Sequence, residues 1–165
     1  MENNPVGYDV YIQTPDGKPA VGDENYFRFA FTAMPRTLDA MNNFGMLVEL
    51  PVPSYPELSA YGLTHANFQP GIVPDLNTVN RIAEFRAAYQ AAKDASEPKP
   101  TGIPRYKLYS TEGFLVTIAE ITAALATYDA HPGVAVAEMP VGDPIWRFWM
   151  NFLRRAQAHG GLRTH

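Results

Sequence analysis

Apolar residues crowd most densely near the C-terminal end of the chain. Between Asp143 and Gly161, Ile145, Trp146, Phe148, Trp149, Met150, Phe152, Leu153 and Ala156 cover most of a helical circumference. They leave a narrow polar stripe of Arg147, Asn151, Arg154, Arg155 and Ala158. A helix that is apolar nearly all round is a buried helix, so this stretch predicts a core helix covered on two or three sides. Its ends are marked by side-chain chemistry. Asp143 suits the N-cap, where a carboxylate accepts from the unpaired amides of the first turn. Pro144 suits the first helical position, and Gly160 suits the left-handed stop. Arg154, Arg155 and His159 place positive charge where it complements the helix dipole. The segment is too short and too charged to span a membrane.

Elsewhere the period shifts between two and about three and a half. Residues 8–14 and 25–31 alternate and are rich in aromatic and β-branched side chains, with Phe27, Phe29 and Phe31 on one face of the second run. Both predict strands, pairing as an antiparallel hairpin with a long loop. Residues 35–44 predict a short helix stopped by Gly45, and 46–50 a brief strand. From 51 to 74 the five prolines Pro51, Pro53, Pro56, Pro70 and Pro74 break regular structure. Tyr55, Tyr61, His65 and Phe68 lie in this irregular stretch. Such a loop is either functional or pinned to the body by its aromatic residues. Asp75 opens a helix to about Asp94, with Val79, Ile82, Phe85, Tyr89 and Ala92 in one stripe. Residues 96–102 form a linker and a possible subdomain boundary within a single domain of 165 residues.

After the linker, 105–109 alternates like a strand, 110–113 like a turn and 114–116 like a returning strand. Thr117 and Glu120 then stand at capping-box spacing, ahead of a helix with Ile118, Ile121, Leu125 and Tyr128 on one face. His131, Pro132 and Gly133 stop it, residues 134–136 suggest a further strand, and 162–165 pair with a sheet edge or fray. The sum is an α+β fold: a small antiparallel sheet from two hairpins, packed against three or four helices, one of them the largely buried C-terminal helix.

Composition narrows the function. An apolar share of 46% suffices for a real core, and no cysteine is present to make a disulfide or thiolate metal site. The N-terminus lacks the basic and apolar regions of a signal peptide, so a cytoplasmic location is expected. The net charge of −4 argues against general nucleic-acid binding. It is uneven: up to Thr101 there are 7 basic and 12 acidic residues, and from Gly102 onward 6 basic and 5 acidic.

The run Tyr106-Lys107-Leu108…Gly113-Phe114-Leu115-Val116-Thr117…Glu120 resembles a segment of small uncharacterised proteins of actinobacteria and their phages. So does Trp146…Trp149…Phe152-Leu153…Ala156…His159-Gly160-Gly161. The likeness covers about the last third of the chain. It implies no activity and no functional residues, only an accessory role such as immunity, host defence or regulation.

Catalytic chemistry finds little to build on. His65, His131, His159 and His165 show no metal-ligand spacing. Ser54, Ser59, Ser96 and Ser110 sit in no nucleophile elbow. Asp23 and Glu24 read as solvated loop residues. Gly160 and Gly161 follow a helix rather than precede one, the wrong end for an anion. No catalytic residue, metal site or cofactor is therefore assigned. The reading favours a non-catalytic protein that binds another protein, with Tyr55, Tyr61 and His65 of the loop and Arg147, Arg154 and Arg155 of the basic stripe as binding candidates. The ordinary explanation of that stripe is dipole compensation on a buried helix. The alternative function is a small-molecule binder or enzyme with its pocket between sheet and helices, using His65 or His159 as its polar group.

Overall fold

A computed structural model describes residues 7–131 and 142–165. The strand expected at 134–136 lies outside what it describes. The last helix starts one residue earlier than expected, with Gly142 rather than Asp143 at its N-cap and Pro144 in the second helical position. The fold is α+β. Contacts divide the chain into two units, one comprising the segments up to Pro51 and from Ser96 onward, the other Val52–Ala95.

The first unit is built on a four-stranded antiparallel sheet. β1 (Gly7–Ile12) pairs with β2 (Tyr26–Ala30) in the register Gly7↔Ala30 to Tyr11↔Tyr26, as the alternating patterns predict. On its other side β1 pairs with β6 (Leu162–Thr164), and β6 pairs with β5 (Leu115–Val116), giving the order β2-β1-β6-β5. The C-terminal strand is thus not an edge strand or a frayed end. It fills the middle of the sheet, and its last residue is tied down by Asp9 N donating to His165 O at 2.8 Å and His165 N to Asp9 O at 2.7 Å.

The second expected hairpin is absent. Residues 105–109 form a single helical turn, α3 (Arg105–Tyr109), immediately after β4 (Ile103–Pro104). β4 pairs in parallel with β3 (Leu47–Val48) in a separate two-stranded ribbon. Five residues are too few for alternation to separate strand from helix, and tertiary contacts decide: α3 packs on β6, β4 and β5, buries Leu108, and buries Lys107 with its Nζ on Leu115 O and Glu120. Between β2 and β3 lies α1 (Ala33–Asn43), which buries Met34, Leu38 and Met41 and ends at Gly45 with φ +70°.

Helices α4 (Ile118–Asp129) and α5 (Asp143–Gln157) pack against each other. The Thr117–Glu120 capping box forms, with Glu120 N donating to Thr117 Oγ1 at 3.2 Å and Thr117 N to Glu120 Oε2 at 2.9 Å. α5 buries Trp146, Trp149, Met150, Phe152, Leu153 and Ala156. It is not covered all round: Phe148 is 67% exposed and Ile145 also faces outward. Phe29 meets Trp149 edge-on at 5.0 Å, and Phe44 stacks on Trp146 at 5.5 Å, so the tryptophans join the sheet to α1. The left-handed residue beyond the helix is Gly161, with φ +84°, and not Gly160. Gly160 serves close approach instead: a Cβ there would lie 2.2 Å from Thr14 O, where the chain crosses the end of β1 to enter the sheet.

The second unit is α2 (Leu76–Asp94) with the preceding loop. Its apolar side chains are at best half-buried, apart from Leu63.

Candidate functional site

In the second unit, helix α2 starts where Asp75 accepts from Thr78 N at 2.7 Å. That backbone hydrogen bond, joined by one from the Thr78 side chain, holds the Asp75 carboxyl below its ordinary range. The proline-rich loop is then pinned to the helix by rings. Tyr55 stacks on Tyr89 at 4.4 Å, while Tyr61 and Phe68 meet Phe85 at 5.7 and 6.1 Å. Arg81 adds a polar tie, donating to Gly62 O at 3.0 Å and to Thr78 Oγ1 at 3.2 Å. Tyr55 and Tyr61 therefore anchor the loop. His65 opens the exposed turn His65–Phe68.

What the loop and helix do create is a groove of about 350 Å³. Asn67, Phe68, Gln69 and Pro74 form its loop side; Val79, Ile82, Ala83 and Arg86 form its helix side. The Arg86 guanidinium lies 5.9 Å from the centre of the Phe68 ring and makes no ion pair among the described residues. Beyond the groove, Ile72, Val73 and Leu76 extend the apolar surface; Val73 is 93% and Leu76 77% exposed. Among the residues of this groove, Phe68 stands out in the sequence as a loop aromatic and Val79 and Ile82 as part of a helical stripe. Their meeting depends on how the loop folds back, which spacing alone does not show.

In the first unit, a larger groove of about 540 Å³ runs between α5 and the turn Asp23–Asn25 that leads into β2. Phe27 and Phe152 lie at its apolar base, their ring centres 5.8 Å apart, with Phe148 beside them. Asp23 and Glu24 contribute on the turn side, and Asn151 and Arg155 on the helix side. The turn is fixed by Asn25 Nδ2 donating to Val21 O at 2.7 Å. Tyr26 also lines the groove and donates its hydroxyl to Asp9, which pushes the phenol above its ordinary range.

The three candidate arginines have different fates. Arg154 is engaged with Asp129 of α4 at 2.7 Å, Arg147 is exposed, and Arg155 alone lines the groove. His159 and His131 each bond through Nδ1 to the carbonyl four residues back, Arg155 O at 2.8 Å and Thr127 O at 2.6 Å. Asp23 and Glu24, which look like ordinary solvated loop acids in the sequence, are exposed and line the groove opposite α5. Phe148 looks like core and is surface.

The most enclosed polar cluster lies elsewhere. Lys107 Nζ donates to Glu120 Oε1 at 2.7 Å and to Leu115 O at 2.8 Å, with both side chains 1% exposed. Ser96 Oγ donates to the same Glu120 oxygen at 3.0 Å. Burial by its surroundings, then the nearby charges of Glu120 and Glu97, raise the adjacent Tyr106 phenol. The bonds from Lys107 and Ser96 to Glu120, and from Lys107 to Leu115 O, join separate segments of the chain, which is the arrangement of a structural tie. Comparison with known proteins adds no neighbour: no family model matches the chain, and neither a curated protein nor a solved structure does.

Proposed function

We propose that the protein is a non-catalytic binding protein that acts through protein–protein contact, with the Val52–Ala95 unit as its contact surface. The supporting observation is the apolar surface of Ile72, Val73, Leu76 and Val79 beside the Phe68–Arg86 groove. Single exposed apolar residues are ordinary, whereas a run of them rimming a groove is the property of an interaction site. The occupant that fits is a partner segment carrying a large apolar side chain for the groove and a carboxylate for Arg86, since Arg86 makes no ion pair of its own among the described residues. Tyr55 and Tyr61 contribute by holding the loop in shape, not by meeting the partner. An accessory role in immunity, defence or regulation belongs to the same proposal and rests on the C-terminal resemblance.

A photo-crosslinking residue placed at Val73 tests the proposal, with the same residue at exposed Glu84, which does not line the groove, as control. A discrete adduct from Val73 that disappears with Leu76→Glu, while circular dichroism is unchanged, supports it. No adduct, or one indifferent to Leu76→Glu and to Arg86→Gln, refutes it.

A further inference from the structure

We propose that the groove between the Asp23–Asn25 turn and α5 is a binding site for a small zwitterion with an aromatic body, of which an aromatic α-amino acid is the simplest example. The proposal concerns the first unit and is independent of the contact surface on the second.

Charge carries the argument furthest. Asp23 and Glu24 line one side of the groove and Arg155 the other, yet none of the three forms an ion pair among the described residues. Elsewhere in the same unit Arg154 pairs with Asp129, Arg28 with Asp9 and Arg105 with Asp39, whereas exposed Arg36, Glu49, Glu97 and Lys99 make no ion pair among the described residues. What sets the groove apart is that both signs face each other across one apolar base. Opposite charges that share a groove without closing on each other leave room for a ligand bearing both signs. A purely cationic ligand would add its charge beside Arg155, and a purely anionic one would meet two carboxylates. A zwitterion satisfies both walls, with its carboxylate on the Arg155 guanidinium, which offers paired donors in a planar fork, and its ammonium on Asp23 and Glu24.

The base selects the body of the ligand. Phe27 and Phe152 continue the aromatic core through Trp149, which stacks on Phe152 at 6.0 Å. Phe148 stands 67% exposed beside them. A ring entering there gains offset or edge contacts with three phenylalanines. Asn151 lies one helical turn before Arg155 on the same face. Its side-chain amide has no hydrogen-bond partner among the described residues and is free to share the carboxylate. The volume of about 540 Å³ falls within the range of small-molecule sites.

Isothermal titration with L-phenylalanine, phenethylamine, 3-phenylpropionate and glycine tests the idea. Phenylalanine should bind saturably at millimolar concentrations or below, with each single-charge analogue and glycine about tenfold weaker or more. Arg155→Gln should weaken phenylalanine about tenfold while leaving phenethylamine unchanged, and the double variant Asp23→Asn, Glu24→Gln should do the converse with phenylpropionate. These side chains are exposed, so circular dichroism should show the variants folded. Absence of saturable phenylalanine binding overturns the proposal. So does equal binding of glycine or of either single-charge analogue, or phenylalanine binding that survives both sets of substitutions.

Discussion

Replacing Lys107 with Met removes the cation that neutralises Glu120 and the donor to Leu115 O. Met is close to Lys in length and apolar, so the cavity stays filled. The loss is electrostatic. At 2.7 Å, unit charges in a medium of effective dielectric constant 20 attract by about 6 kcal/mol. Part of this offsets the cost of taking both ions out of water, since each side chain is 1% exposed. Breaking such a pair from one side strands the other charge and costs about 3–5 kcal/mol. Glu120 would retain its bonds from Thr117 N and Ser96 Oγ, which places the expected value toward the lower end. Small domains are stable by about 5–15 kcal/mol in total, so the change is large. For a chain of this size it lowers the melting temperature by about 6–20 °C.

Urea denaturation followed by tryptophan fluorescence is the appropriate assay, because Trp146 and Trp149 both lie in the core of the first unit. Glu120→Gln completes a double-mutant cycle, keeping a side chain that can still meet Thr117 N. The double variant should be more stable than the two single losses added together would give, by at least about 1 kcal/mol, because removing the second charge relieves the first. A Lys107→Met cost below about 1 kcal/mol, or single effects that add within about 0.5 kcal/mol, would refute the reasoning.

Trp149→Ala should cost about 3–5 kcal/mol, whereas Phe148→Ala, on the exposed side of the same helix, should stay within about 0.5 kcal/mol; equal losses in urea midpoints would show that the faces of α5 are misassigned. Gly160→Ala forces a Cβ to within 2.2 Å of Thr14 O and should cost at least about 1–3 kcal/mol. A melting temperature within a degree or so of the parent's would show that the chain crossing relaxes. The Asp75 cap is sensitive to acid. Its folded-state carboxyl is held low, so the cap is fully present above the ordinary carboxylate range and is lost as pH falls through the folded value. Circular dichroism across that window should show the parent's helix signal declining toward that of Asp75→Ala; parallel profiles would contradict the cap. The Tyr26 phenol is raised because it donates to Asp9, so its contribution holds below the ordinary phenol range and fades as pH rises past the folded value. Tyr26→Phe should remove that alkaline dependence in a spectrophotometric titration of stability.

Local chemistry was the most legible part of the sequence. Phe27 and Phe29 of β2, the Thr117–Glu120 box and the Gly45 stop all depend on neighbours within four residues and appear where their spacing puts them, whereas Phe31, expected on the same strand face, lies beyond the end of β2 and is exposed. Long-range pairing was not legible. β6 joins the sheet between β1 and β5 because Gly160 and Gly161 let the chain cross under Thr14 and Val116, and nothing in four terminal residues announces a central strand. Residues 105–109 alternate like a strand yet form the turn α3, whose contact from Lys107 to Glu120 spans 13 residues. At the sites the same division holds. The aromatic residues of the loop were visible as anchors, but the grooves are made by segments far apart in the chain, such as Asp23 and Arg155.

Helix α5 shows why an apolar pattern nearly all round a helix is ambiguous. Trp146, Trp149, Met150, Leu153 and Ala156 form an inward stripe, and Phe152 sits at its border. Phe148, Asn151 and Arg155 form a second stripe at steps of three and four. Added together, the two look like a helix apolar on every side. They differ in how they end: the inward stripe stays apolar through Ala156, while the other passes from Phe148 through an amide to an arginine. A helix buried on all sides has no use for that gradient, since an unpaired guanidinium at the end of a buried stripe would have to be desolvated. A helix that packs with one side and lines a groove with the next requires it. The same gradient makes the two roles separable, because substitutions along Phe148, Asn151 and Arg155 should move binding without moving stability, and substitutions along the tryptophan stripe should do the reverse.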